Sequence, residues 1–408
     1  MKKFLLVPLL LLLSATYAAD DFNVKNFGAG GDGKTDDTAA IQRAVDAAKN
    51  KCRYRRQHGK YPPSSYFGSG ATVTFPPGFY KITKTINVPP LVSLAGSGGT
   101  PLLEWHGPES GKGTMFNISP SRFTAENLVF SGGGTHLLFS NRNLDKTMLT
   151  IRNCRFFYAG EIAIKMVPPP DVDHMSVLAT LSNCLFAKNH RCVENCGDMM
   201  VIRDCWVELS QPQLCDGAAF INRYGTLKME FCCLVPCANP DKGPDYYHNA
   251  RWVDNYARFE ADSVRFGGEG GGIPAVYNYA GLPKQYPWNG GGGISIKNSV
   301  LCVGQNKREN GTAVRLFALP MQLLIADNNR LSNKPLLVCD PSLNIEKELN
   351  ASKRAVPNMR WKICNNGGGN QNIVRIPAEL KRFFIPEKQD IFGKIPQTPI
   401  PAEITRGR

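Results

Sequence analysis

The sequence is short of long hydrophobic runs, of acidic residues and of helical periodicity. Beyond residue 19, no apolar stretch is long enough to cross a bilayer, so we expect no transmembrane segment and no membrane partner. Asp and Glu number 34 against 48 Lys and Arg, a formal net charge of +14 that favours an anionic partner. The 13 cysteines leave a zinc site open, although their spacings match no usual pattern of zinc ligands.

The first nineteen residues have the pattern of a secretory signal peptide. Lys2 and Lys3 precede an apolar stretch over residues 4–13, and Ala18 provides a small residue at a cleavage site. About ten apolar residues are too few to span a bilayer, which argues against a membrane anchor. We therefore expect residues 1–19 to be a signal peptide and the protein to be secreted or periplasmic. Export favours an acidic polysaccharide over a nucleic acid as the anionic partner.

A short phrase of the form apolar–x–apolar–x–x–small–x–apolar recurs along the middle of the chain. Its clearest copies lie at residues 149–156, 179–186 and 200–207, and looser copies follow at steps of 21–35 residues. The alternation within each copy has the period of a β-strand, and a repeat of this length is typical of a solenoid. The sequence therefore predicts an all-β parallel solenoid, a fold that binds its partners along its length.

The residue two positions before each closing apolar residue marks the repeat. This column reads Leu128, Cys154, Cys184, Cys205, Cys232, Val264, Ser299 and Asn329. Thiols at one repeat position can stack in the core as small apolar side chains, so we predict that these four cysteines form a single interior row. The better candidates for disulfide bonds lie elsewhere in their coils, at Cys192, Cys196, Cys215, Cys233 and Cys237.

The segment that follows the signal pattern predicts a capping helix. A short strand from Phe22 leads into a Gly-rich turn, and Asp36 or Asp37 precedes a helical pattern. Its apolar face consists of Ala40, Ile41, Ala44, Val45 and Ala48. Such a helix can cover the open end of a solenoid core.

Residues 22–100 resemble the N-terminal signature of the pectate-lyase-like superfamily, in the branch that includes rhamnogalacturonases, epimerases and phage tailspikes. The stretches at 71–80 and 87–96, which alternate like strands and contain Pro and Gly turns, carry the resemblance together with the segment before them. It implies a single-stranded right-handed parallel β-helix over residues 20–376, with a Pro-rich tail over 377–408. It says little about activity, because the superfamily includes lyases, hydrolases, epimerases and inert structural members. One departure is the row of cysteines, which stands where asparagine amides often stack.

A second column of apolar residues lies between the phrases and predicts one outer face. The inward positions are Ile164, Val193, Ala219, Val253, Val276 and Val314, and the outward residues after them are Lys165, Glu194, Phe220, Asp254, Tyr277 and Arg315. The outward residues before them are Ala163, Cys192, Ala218, Trp252, Ala275 and Ala313, and one further step out are Asn222, Tyr256, Tyr279 and Phe317. Small residues beside charges and rings predict a sugar-binding groove, in which ring faces stack on sugars.

Two reactions compete for this face. The candidate catalytic residues are Lys165, Glu194, Asp254 and Arg251, and the candidate substrate-binding residues are Trp252, Arg223, Tyr277, Arg315 and His248. Hydrolysis uses two carboxylates, and Glu194 and Asp254 are expected two coils apart, about 9.6 Å, near the inverting range. β-Elimination on a uronate uses a base and a cation that stabilises the enolate-like anion, with or without Ca²⁺ on the two carboxylates.

The sequence as a whole predicts a secreted enzyme that degrades an acidic, uronate-containing polysaccharide such as pectin, by β-elimination. The polygalacturonase motifs Asn-Thr-Asp, Gly-His-Gly and Arg-Ile-Lys are absent, and so is the Arg-rich catalytic segment of calcium-dependent pectate lyases. Two alternatives remain, a hydrolase of the same fold that uses paired carboxylates and a non-catalytic glycan-binding solenoid. No cofactor is assigned, and Ca²⁺ on the two carboxylates is left open.

Overall fold

Each repeat of the apolar phrase forms two short strands that meet at a tight corner. The computed structural model describes residues 22–54, 68–140, 147–170, 174–209, 217–236, 250–267, 273–281, 292–302, 312–330, 335–351, 359–364, 366–367 and 374–385. In the phrase at 149–156, for example, strand Thr147–Arg152 ends at a two-residue turn and strand Arg155–Phe157 follows in the next sheet. A third strand, Ile162–Met166, completes the coil. The predicted signal peptide lies outside the described residues.

The strands stack into three long parallel sheets, so that successive coils form a right-handed parallel β-helix, as predicted. The first sheet contains Phe22–Asn23, Ala71–Phe75, Val92–Gly96, Thr124–Glu126, Thr147–Arg152, Met175–Ser182, Gly197–Arg203, Thr226–Glu230, Arg258–Asp262, Gly293–Lys297, Gln322–Ala326 and Arg360–Cys364. The second contains Asp32–Asp36, Phe79–Ile82, Leu102–Trp105, Val129–Ser131, Arg155–Phe157, Leu185–Ala187, Trp206–Leu209, Cys233–Pro236, Arg265–Phe266, Val300–Leu301 and Asn329–Arg330. The third contains Ile86–Val88, Thr114–Ile118, Thr135–Phe139, Ile162–Met166, Val193–Asn195, Ala218–Asn222, Arg251–Asn255, Val276–Asn278, Val314–Leu316, Leu337–Cys339 and Val374–Arg375.

Few helices accompany the sheets in the described part of the chain. The α-helices are Thr38–Lys51 and Ile345–Ala351, the 3₁₀ helices are Val24–Phe27 and Ala378–Phe383, and a small antiparallel pair joins Arg53–Tyr54 to Gly68–Ser69. None of the helices described is long and apolar enough to cross a membrane.

The first α-helix buries the predicted apolar face against the end of the core. Asp36 caps it, because its carboxylate accepts hydrogen bonds from the backbone N–H (3.1 Å) and the hydroxyl (2.6 Å) of Thr38. Asp37 instead accepts from the N–H groups of Gly30 and Gly31 and holds the Gly-rich turn.

The corner between the first and second sheets is a two-residue turn whose first residue has a left-handed backbone, with φ of +50° to +57° in eight coils. These residues are Asn127, Asn153, Asn183, Asp204, Phe231, Ser263, Asn298 and Asp327. Asn and Asp tolerate this conformation better than other residues with a β-carbon, which explains why they precede the repeat column.

The predicted row of Cys154, Cys184, Cys205 and Cys232 is confirmed. All four are at most 3% exposed, and backbone hydrogen bonds such as Leu185 N–H to Cys154 O (3.0 Å) join them coil to coil. The end of the column was predicted one residue too late, at Asn329. Asn328 occupies the position, because Arg330 takes the inward place opposite Leu301. An inward arginine breaks the apolar pattern from which the register was inferred.

The remaining cysteines and the tail are only partly described. Cys196 and Cys233 are free thiols, Cys192 is buried, and Cys215 and Cys237 lie outside the described residues. The first part of the tail, residues 377–385, packs on the last coil: Leu380 and Phe383 are buried, and the Phe383 ring lies 5.5 Å from that of Trp361.

Candidate functional site

An interior ladder of asparagines fixes the corner at which the chain leaves the third sheet. The side-chain amides of Asn195, Asn222, Asn255 and Asn278 are linked Nδ2 to Oδ1 at 2.8–2.9 Å. All four are fully buried, and their Nδ2 groups also donate to backbone carbonyls of the same corner. Asn222 was predicted to point outward, so that assignment is wrong. The ladder holds in place the outward residues that follow it.

The predicted outward column forms on the third sheet with one correction. Consecutive coils align Lys165, Glu194, Ile221, Asp254, Tyr277 and Arg315. Ile221, not Phe220, stands between the two carboxylates, because Phe220 is the inward residue and pairs with Val193. The strand Ala-Ala-Phe-Ile-Asn is buried at every position, so its sequence carries no alternation.

Three guanidinium groups on this face are each paired with a carboxylate. Arg251 donates to both oxygens of Asp254, through Nε at 2.5 Å and Nη2 at 2.7 Å. Arg223 Nε donates to Glu194 Oε1 at 2.9 Å. Arg315 Nε lies 3.1 Å from Asp340 Oδ2 as an ion pair whose geometry falls short of a directed hydrogen bond. The Arg251 and Asp254 side chains are only 18% and 9% exposed, so water screens their attraction weakly.

Aromatic rings continue this layer along the helix axis. The Arg223 guanidinium lies 4.8 Å from the centre of the Tyr256 ring, Tyr256 stacks on Tyr279 at 4.9 Å, and Tyr279 stacks on Phe317 at 4.8 Å. Tyr277 lies between Arg251 and Arg315, at 5.1 Å and 5.8 Å from its ring centre. The expectation that ring faces stack on sugars is therefore wrong for the stacked rings, which cover one another's faces and leave edges and hydroxyls for a ligand.

One of the predicted binding residues does not reach this face, and another is not described. Trp252 is completely buried, and so are Ala163, Cys192, Ala275 and Ala313, which were predicted to be outward with it. These residues lie at the start of their strands, where the chain enters the sheet from a corner. Side chains on both faces of the strand are therefore enclosed there. His248 lies outside the described residues.

Two phenols of this layer favour their protonated form. Burial raises the pKa of Tyr279, and the nearby Asp254 raises it further. The same two causes raise the pKa of Tyr256. These phenols therefore serve as hydrogen-bond donors at neutral pH.

A calcium ion on Glu194 and Asp254 does not fit this arrangement. Each carboxylate is already bound to a guanidinium group, and the two are separated by two strand spacings, about 9.6 Å. Ca²⁺ requires six to eight oxygen ligands around one point. The described residues contain no group of three or more His, Cys, Asp or Glu that could hold a metal ion.

Sequence reasoning missed two neighbours of this face. Asp340, the partner of Arg315, directly follows the strand Leu337–Cys339, and extending the column of Tyr279 and Phe317 by one coil would have found it. His174 stacks on Tyr224 at 4.2 Å and lies 3.5 Å from Asp198 at the corner beside Arg223. No sequence pattern signals that contact, because its members come from three coils.

Comparison with known proteins finds similarity mainly at the N-terminus. Residues 22–107 match a family model described as rhamnogalacturonase A/epimerase, pectate lyase-like. The chain is 44% identical over 63 residues to the mannuronan C5-epimerase AlgE5 of Azotobacter vinelandii, and 43% identical over 63 residues to alginate lyase 7 of the same organism. Each match spans 15% of this chain and 5% of the curated relative. Among solved structures, the A-module of the Azotobacter vinelandii epimerase AlgE6 aligns over 78% of this chain and 95% of its own, at 15% identity and a TM-score of 0.34.

Proposed function

We propose that the protein, whose residues 22–107 match a pectate-lyase-like family model, acts on an acidic polysaccharide lying along the outer face of its third sheet. The observation that carries the proposal is the layer of three guanidinium groups, each fixed by an ion pair with a carboxylate, at Arg223, Arg251 and Arg315. Their spacing follows the coils, so a polymer with a carboxylate on each sugar meets a cation at several points along the helix. Polysaccharide epimerase and lyase are also the activities named for the relatives that match the N-terminus.

The reaction that this face supports best is removal of the proton α to a uronate carboxylate. Arg251, which lies against Tyr277, supplies the positive charge that stabilises the enolate-like anion. Lys165 lies three coils away on the same outer face and pairs with a carboxylate further along the polymer. The Tyr277 hydroxyl is the proposed base, because the Tyr277 ring lies 5.1 Å from the Arg251 guanidinium that meets the anion. The anion then expels the oxygen at the β-carbon, which is elimination, or takes back a proton on its other face, which is epimerisation.

Hydrolysis is less well supported by the same contacts. A glycosidase needs one carboxyl group free to donate a proton and a second carboxylate to act on the sugar or on water. Here Asp254 is bound at both oxygens by Arg251, and Glu194 is bound by Arg223. The export predicted from residues 1–19 suits a polysaccharide-acting protein and stays a prediction.

The test is digestion of polygalacturonate, alginate and a neutral glucan with the purified protein. We expect ultraviolet-absorbing unsaturated ends, or sugars inverted at one carbon in NMR spectra, from an acidic polymer only. Arg251→Ala should lower kcat/KM by about 100-fold, the scale of removing one group that stabilises an anion, whereas Lys165→Ala should mainly raise KM. Glu194→Gln should mainly weaken binding.

The matched control is Arg258→Ala, which removes an arginine paired with Glu260 on the first sheet and should leave turnover unchanged. Saturated products, together with loss of turnover in Glu194→Gln or Asp254→Asn alone, would establish the hydrolase instead. Binding without any product from the whole panel would show a glycan-binding solenoid.

A further inference from the structure

A pocket of about 350 Å³ opens on the outer face of the first sheet, on a different side of the helix from the charged face of the third sheet. One wall is a column of hydroxyl side chains from four successive coils, Thr72, Ser93, Thr124 and Thr150. The backbone N–H of Thr124 donates to the Ser93 hydroxyl at 3.0 Å, which fixes the column in register. The hydroxyls therefore present hydrogen-bonding groups at intervals of one coil, about 4.8 Å.

The opposite wall is built from unusual backbone. Leu91 and Arg122 enter the first sheet in successive coils, and both have left-handed φ, at +67° and +50°. Residues of these types pay about 1–2 kcal/mol for that conformation, and such strain is found preferentially at functional sites. Gly70 completes the wall, since a β-carbon there would lie 2.5 Å from the Leu91 carbonyl oxygen. Arg122 brings the positive charge of the pocket and donates to the Gly68 carbonyl at 2.7 Å.

An apolar column runs from the pocket across the next coils. Met148 lines the pocket, and Leu178 and Met199 follow it in register. Their exposures of 62%, 50% and 42% are high for large apolar side chains. The surface therefore offers a row of hydroxyls beside a row of apolar side chains, with one cation at its end.

We propose that this pocket is a second, non-catalytic carbohydrate site, which binds one sugar unit of an acidic glycan whose chain continues over Leu178 and Met199. A sugar ring carries hydroxyls at its edge and C–H groups on its faces, which match the hydroxyl and apolar columns. Arg122 would pair with a carboxylate or sulfate on that sugar. The inference shares its class of ligand with the proposed function but uses a different surface, so each can fail alone.

The experiment is calorimetric titration of the full chain with a uronate hexasaccharide. Wild-type protein should show two classes of site. The double variant Thr124→Val/Thr150→Val removes two hydroxyls but keeps side-chain shape and β-propensity, so it should fold. We expect it to bind at least tenfold more weakly at one class, with turnover of short oligosaccharides unchanged.

The control is Ser295→Ala, which removes a hydroxyl of the same outer column five coils beyond Thr150, away from Leu178 and Met199. It should bind like the wild type. Arg251→Ala should abolish binding at the class of site that belongs to the third sheet. If that loss has no effect on turnover, the result counts against the proposed function but not against this pocket. A single class of site in the wild type, or a double variant that binds like the wild type, would overturn the inference. A concentration-dependent dimer in sedimentation that Met148→Lys abolishes would also overturn it, because the surface would then bind a second copy.

Discussion

The outer faces of the first and third sheets carry the same kinds of ion pair but bury them to different depths. On the first sheet, the Arg152–Glu126 and Arg258–Glu260 pairs are short, 2.6 Å each, yet their arginines are 53% and 51% exposed. On the third sheet, the Arg251–Asp254 pair is 18% and 9% exposed and lies against Tyr277. Charge type alone therefore does not distinguish the two faces. Desolvation, which the aromatic layer provides, makes a charge strong enough to act on a ligand.

The largest effect that this comparison predicts is on stability. Asp254→Asn keeps the size of the side chain but leaves Arg251 largely buried without its counter-charge, which should cost about 3 kcal/mol of the free energy of unfolding. Glu260→Gln breaks an exposed pair of the same kind and should cost less than about 1 kcal/mol. Urea unfolding at neutral pH, followed by circular dichroism, measures both. Equal costs would show that the two faces do not differ in desolvation.

The sequence predicts the corner between the first and second sheets better than it predicts either outer face. The Asn-Cys and Asp-Cys pairs of the repeat phrase specify a left-handed residue followed by a buried small one, and the structure places them so in three coils. A tight turn leaves no room for insertion, so sequence spacing and spatial register coincide there. Asn328 departs from this only because an inward arginine replaces the apolar residue that was used for alignment.

The third sheet resists prediction because longer connections separate its strands and because burial extends beyond the inward positions. Trp252 is completely buried at a position that alternation makes outward. Asn255 is polar but interior, since its amide is satisfied within a ladder that only neighbouring coils complete. The sequence of a single strand cannot reveal such partners. A polar residue that recurs at the same position in successive coils is the signal that could have revealed the ladder.

A second, smaller effect concerns alkaline pH. Burial first, and Asp254 second, raise the pKa of Tyr279 above its ordinary value of 10, so the folded protein favours the neutral phenol. Stability should therefore hold below the unfolded pKa and fall as pH rises above it, where only the unfolded chain ionises readily. Asp254→Asn removes one cause, so spectrophotometric titration should show tyrosinate forming at lower pH in the variant. Asp262→Asn, on the first sheet, is the control and should leave the titration unchanged.

The smallest effect is expected at the exposed corner of the first sheet, where a substitution should increase stability. Phe231 adopts φ of +51° in a column otherwise filled mostly by Asn and Asp, and its side chain is 66% exposed. The left-handed conformation costs a residue with an ordinary β-carbon about 1–2 kcal/mol, while Asn tolerates it. Phe231→Asn should therefore raise the free energy of unfolding by about 1 kcal/mol, measured as a shift in the urea midpoint. Phe231→Ala removes the same exposed ring but keeps the strained backbone, so a gain as large as that of Phe231→Asn would trace the effect to the ring and not to the turn.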